Sequence, residues 1–252
     1  MFNSMNQEAQ NMDIPEEKDS FGGNLKETGL YPAVIDLAYV KPAASGALMF
    51  NVVFKYEDGS TTQLSECIQS GDAKGNKPYY VKDGKQIALP GFTKISAITE
   101  LLMGKELAQF TDADAEAKAI KLWDSKQSKE VPTDVQVVTA LTGKKVQLGL
   151  HKVSTNKQAK QGNNTYVDTN ERRTINEVDK VFNEAGFTAS ELKAQAESPE
   201  WITKWAEKYG TEEIDKFKEV KGGTANSSTG SMFNKPKDGD APATNSLFNK
   251  QS

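Results

Sequence analysis

One histidine and one cysteine in 252 residues close off much chemistry at the outset. His151 and Cys67 cannot together supply a His/Cys zinc site, and a lone thiol excludes an internal disulfide, which fits a reducing compartment. A Ser/His/Asp or Cys/His hydrolase would need His151 as its base, yet that residue lies among lysines, a setting that suits phosphate contact at least as well. No P-loop occurs: Gly71 to Lys77 lacks the GxxxxGK[ST] spacing, and Gly143-Lys144-Lys145 lacks the first glycine and the hydroxyl. No apolar run approaches the ~20 residues that cross a bilayer, and the N-terminus has no apolar signal core. The composition reads as a soluble, cytoplasmic protein that contacts no membrane, with no catalytic constellation, no metal and no cofactor.

Apolar residues are also scarce, at 37%, and the deficit is concentrated at the ends. Residues 1–21 carry five acidic side chains against one lysine and read as a disordered acidic arm. Residues 221–252 are rich in Gly, Ser, Asn, Thr and Pro and read as a disordered tail. Within that tail Ser231-Met232-Phe233-Asn234-Lys235 is echoed by Ser246-Leu247-Phe248-Asn249-Lys250. An aromatic in a disordered segment is useful only when something binds it, so Met232, Phe233, Leu247 and Phe248 are candidate partner contacts.

Between the ends, Leu30 to Val40 is rich in strand formers, and Leu48, Phe50, Val52, Phe54 and Tyr56 alternate with polar residues. Glu57-Asp58-Gly59-Ser60 supplies an Asp-Gly turn, and Thr61 to Ile68 returns as a third antiparallel strand. Ile95, Ile98, Leu101 and Leu102 fall at helical spacing over Thr93 to Leu107. Thr111 with Asp114 matches a capping box and predicts a second helix leading to Trp123; Asp112, Asp114 and Glu116 then serve its dipole and not a metal. Val135 to Thr139 and Val146 to Leu150 read as a strand pair that runs into a basic polar loop. From Thr174 to Val220 repeated capping boxes predict about four short helices with a net charge of −5.

Two segments gather positive charge. Lys74, Lys77, Lys82 and Lys85 surround Tyr79 and Tyr80 in a long excursion from Gly71 to Gly91; the structural alternative is a hairpin at Lys82-Asp83-Gly84-Lys85 with one tyrosine in the core. Between Lys144 and Arg173 seven basic residues, Lys144, Lys145, Lys152, Lys157, Lys160, Arg172 and Arg173, face only Asp168 and Glu171, with Tyr166 among them. Lysines neutralise phosphates and aromatic rings stack on bases, which is what sequence-tolerant binding of single strands requires. These fourteen residues form the candidate site, envisaged as a groove with Tyr79 and Tyr80 on one wall and Lys144, Lys145, Lys152 and Tyr166 on the other.

The order strand, strand-DG-strand, lysine/tyrosine loop, helix, basic strand pair looks like an oligonucleotide-binding (OB) fold, a five-stranded barrel with a helix between its third and fourth strands. In LYPAVIDLAYV, ALMFNVVFKYEDGS and LPGFTKISAITELLMGKEL, and over roughly residues 22–173, the chain resembles the single-stranded-DNA-binding proteins of tailed bacteriophages. The resemblance implies a non-enzymatic protein of replication, recombination and repair that coats single strands and recruits other proteins through its C-terminus. The expected class is therefore mainly β with added helices (α+β): an OB-fold domain at 22–173, an acidic helical region at 174–220 and disordered termini. The tail departs from the acidic ending such proteins commonly have, with four lysines against two aspartates. An alternative is an adaptor whose principal ligands are polymerase, transcription or recombination proteins.

Overall fold

A single strand, β1 (Gly29–Pro42), organises the sheet because two sets of partners divide its length. The computed structural model describes residues 25–124, 127–161 and 165–220. Along one edge β1 pairs antiparallel with β2 (Leu48–Lys55), which pairs in turn with β3 (Thr61–Gln69). Along the other edge its first half pairs with β8 (Lys145–Gln161) and its second half, at Tyr39 and Val40, with β7 (Lys129–Val137). Among the described residues β6 (Glu116–Asp124) pairs only with β7, and β9 (Thr165–Asn183) only with β8. A separate two-stranded arm consists of β4 (Tyr79–Lys82) and β5 (Lys85–Ala88). The helices are α1 (Pro90–Met103), α2 (Ala189–Lys193) and α3 (Glu200–Tyr209).

The mainly β, α+β class is observed, but no closed barrel is found among the described residues: no ladder of hydrogen bonds joins β3 to β9. The main core lies under α1, where Ile95 and Ile98 meet Ile35, Phe50, Val52, Phe54, Leu148 and Leu150. Large side chains of this kind contribute ~1.5–3 kcal/mol each when fully buried. Asp36 is an extra residue in β1, so Ile35 and Ala38, three apart, both reach the core, while Leu37 and Tyr39 turn to the opposite face. There β6 and β7 pack over them through Ile120, Leu122, Val135 and Val137.

Four sequence expectations are corrected. Val135 to Thr139 does not pair with Val146 to Leu150; β7 joins β6 and β1, and β8 takes β9. The basic segment after Leu150 is no loop, because β8 runs on to Gln161 and β9 returns from Thr165. The Thr111 capping box exists, but it caps a single 3-10 turn that leads into β6, where Ile120 and Leu122 alternate with exposed residues. Among the described residues two helices, rather than four, come after Thr174. Residues 174–183 are strand, and a bulge at Asp179 brings Val178 and Val181 both inward, mimicking helical spacing.

After α3, residues 214–220 return as a strap along β8. β10 (Ile214–Asp215) pairs parallel with Val153 and Ser154. Asn156 brackets Lys218, accepting from its N–H at 3.0 Å and donating to its carbonyl at 2.7 Å. Asn170 brackets Val220 the same way, at 2.8 and 3.2 Å. The acidic arm and the tail, with Met232, Phe233, Leu247 and Phe248, lie outside the described residues.

Candidate nucleic-acid interface

The Asp-Gly pair folds the β4–β5 arm back on itself: Asp83 and Gly84 take φ of 52° and 73°, which a two-residue turn of this hand requires, and Lys82 faces Lys85 across it. With nothing packed on the arm, Tyr80, Val81 and Ile87 are 44%, 62% and 38% exposed, while Tyr79 is half-buried. Lys77 Nζ lies 5.7 Å from the Tyr79 ring centre. Lys74, Lys77, Lys82 and Lys85 make no ion pair among the described residues. Where the arm leaves β3 there is a cleft of about 710 Å³, lined by Lys74, Lys77, Tyr79 and Tyr80 together with Ala47, Cys67 and Leu89.

The remaining sequence-predicted residues sit elsewhere. Register puts Pro42, Leu48 and Gln69 at one end of the sheet and Lys55, Thr61 and Leu150 toward the other. The β4–β5 arm leaves from the first end, where Ser70 donates its N–H to the Lys77 carbonyl, whereas β8 and β9 extend past the second. The two basic segments therefore do not form the facing walls of one groove.

Much of the second segment is also neutralised internally. Lys145 pairs with Glu184 at 3.2 Å, and Lys157 with Glu171 at 2.9 Å. Lys152 contacts Glu27 at 3.0 Å and Glu213 at 3.4 Å, and its bond to Glu27 holds its pKa above the usual lysine value. Arg172 pairs with Asp215 at 3.0 Å and lies 4.1 Å over the Phe217 ring. Lys144, Lys160 and Arg173 make no ion pair among the described residues, and Tyr166 is 59% exposed on the distal arm.

His151 is not a phosphate contact. It is buried, stacked 5.3 Å from Trp205 and edge-on to Tyr209 at 4.5 Å, and its Nε2 has no hydrogen-bond partner among the described residues. Burial pushes its pKa below the ordinary value; Asp179 and Glu177 oppose that shift, and Lys216 and Lys94 reinforce it. The acidic trio is committed to ion pairs and turns. Asp114 is held at about 2 by Lys105 Nζ at 2.6 Å and by the N–H and hydroxyl of Thr111, and Glu116 pairs with Lys118. No group of three or more potential metal ligands occurs among the described residues.

Sequence reasoning missed Trp123, 66% exposed on β6 near the end of the β6–β7 hairpin, beside Lys121 on its own face and opposite Glu130. Its signal was the alternation of Ile120 and Leu122 with Lys121 and Trp123, masked by the helix-favouring Glu-Ala-Lys-Ala that precedes it. Among the described residues no helix is long and apolar enough to cross a membrane.

Comparison with known proteins finds no matching family model, no matching curated protein and no matching solved structure.

Proposed function

We propose that the chain is a sequence-tolerant single-stranded-DNA-binding protein of the OB-fold type, acting in the cytoplasm to coat and protect exposed strands during replication and recombination. The observation that carries this reading is the β4–β5 arm with its cleft: four lysines that make no ion pair among the described residues, around an exposed and a half-exposed tyrosine. Unpaired lysines are free to replace the counterions of a phosphate backbone, and tyrosine faces stack on any base. The strand order β3-β2-β1-β8-β9, with α1 between β3 and β8, has the connectivity of an OB fold and supports that assignment.

The test is a salt titration of binding to oligo-dT and to duplex of equal length. Tight oligo-dT binding that weakens steeply with salt, with far weaker duplex binding, is expected. Equal affinity for both forms, or none for either, overturns the reading.

A second reading, a protein-interaction adaptor, is favoured by Leu192 and Trp201, which are 43% and 51% exposed in the acidic helical region. Deleting 221–252 separates tail recruitment from strand binding. Oligo-dT affinity should survive the deletion, while capture of replication, recombination or transcription proteins should fail.

A further inference from the structure

The cleft at the root of the β4–β5 arm offers more room than a flat stacking surface needs. Its volume of about 710 Å³ falls in the range of preformed small-ligand sites. Its walls are fixed by backbone contacts. Asp72 N–H donates to the Ser45 carbonyl at 2.9 Å, and Gly91 packs so close to Cys67 that an added Cβ would stand 2.4 Å from the Cys67 carbonyl oxygen. Apolar Ala47 and Leu89 contribute to the lining with the two tyrosines, while Lys74 and Lys77 supply positive charge. No acidic residue lines the cleft, and Asp72, next to the lining residues Gly71 and Ala73, accepts from Asn76 at 3.0 Å and packs against Gly46. A flat apolar ring bearing an anionic substituent matches this lining in shape and sign.

We infer that the cleft is an insertion pocket for one unstacked nucleobase, whose flanking phosphate is held by Lys74 and Lys77. This rests on the single-strand reading above and adds to it a defined register: one base per protein enters the fold while its neighbours stay on the arm. Besides the lysines the side-chain lining offers only the small hydroxyls of Ser45 and Ser70 and the Cys67 thiol as polar groups with the tyrosines, and Ser70 already accepts from Lys77 N–H, so entry discriminates chiefly by stacking and size and tolerates any sequence. Extruding a base is cheap from an already single strand and costly from a duplex, which adds to the preference for single strands.

Cys67, the chain's single thiol, lines the cleft and reports on its occupancy. The full chain is alkylated with iodoacetamide alone, with saturating oligo-dT and with an abasic oligodeoxyribose phosphate of equal length. Oligo-dT is expected to slow labelling about fivefold or more, the factor that base–aromatic stacking supplies, while the bound abasic strand leaves the rate unchanged. Affinity is measured in parallel on Ala73→Leu, which narrows the cleft from an exposed position. This variant should bind oligo-dT about fivefold more weakly and the abasic strand equally well. Should the free thiol prove inert, that comparison decides alone. Oligo-dT that binds without slowing alkylation, or an Ala73→Leu variant that weakens both strands alike, overturns the pocket and leaves the single-strand reading standing. Failure of oligo-dT to bind at all removes both.

Discussion

Trp205 lies directly over Gly149: a Cβ added at Gly149 would stand 2.8 Å from the indole. The ring cannot easily retreat, because its Nε1–H donates to Asp179 at 2.7 Å and its face stacks on His151. The bulge that misaligns β9 therefore supplies the carboxylate that anchors α3 to the sheet.

Gly149→Ala should lower stability by about 1–3 kcal/mol through overpacking. Urea denaturation followed by tryptophan fluorescence checks this; a midpoint equal to that of the parent chain would show that the indole moves freely.

Stability should also depend on pH through His151, the chain's single histidine. Its folded-state pKa lies below the ordinary 6.5, so the unfolded chain binds the extra proton first as pH falls. That contribution is complete above pH 6.5 and is lost progressively below it, down to the folded-state value. His151→Phe keeps the stack and should flatten the profile just below pH 6.5. The carboxyls of Asp58 and Asp114, both held at about 2, act only below their ordinary 3.8 and leave that window clear.

Asp114 ties the 3-10 turn before β6 to Lys105, just beyond the end of α1. Its carboxyl carbon should titrate near 2 in an NMR pH series and move toward 3.8 in Lys105→Ala. The stability it contributes is present above pH 3.8 and declines as pH falls through about 2. An unmoved titration would assign the shift to Thr111 alone.

The two arms leave opposite ends of a sheet whose central strand has 14 residues, or ~46 Å at about 3.3 Å each. Tyr80→Ala should weaken oligo-dT binding by ~1–3 kcal/mol at every length. Tyr166→Ala should do so only for oligomers long enough to run the length of β1 and on to Tyr166, which lies opposite Lys160, ten residues beyond Leu150. Fluorescence titrations with a length series separate the two; a Tyr166 effect on the shortest oligomers would mean that the arms converge.

Local patterns carried β1, β2, β3, α1 and the β4–β5 turn, because period and turn chemistry there agree with tertiary packing. They misled where a bulge intervened. Val178 and Val181 are three apart and both buried, so Thr174 to Phe182 imitates one face of a helix although it is strand. The Thr111 capping box was genuine, but a box fixes only a turn, and the element beyond it is decided by whether apolar contacts lie on a helix face or across a sheet. In the candidate site, residue types were legible and pairing was not. Nothing local to Lys152 or Arg172 announces Glu27 or Asp215, whose approach depends on chain ends brought back across the sheet.

The strap at residues 214–220 has a mechanical consequence. Val220 is held beside the β8–β9 arm, away from the cleft, so a force applied at Val220 meets the two asparagine brackets before the sheet. Counted back from Val220, the contacts along the strap are Asn170, Asn156, Lys216 to Ser154 and Glu177, and the Arg172–Asp215 pair. Each of these contacts lies outside α3 and the strands that hold the β4–β5 arm, so the strap is built to peel from β8 while the rest of the fold stays in place.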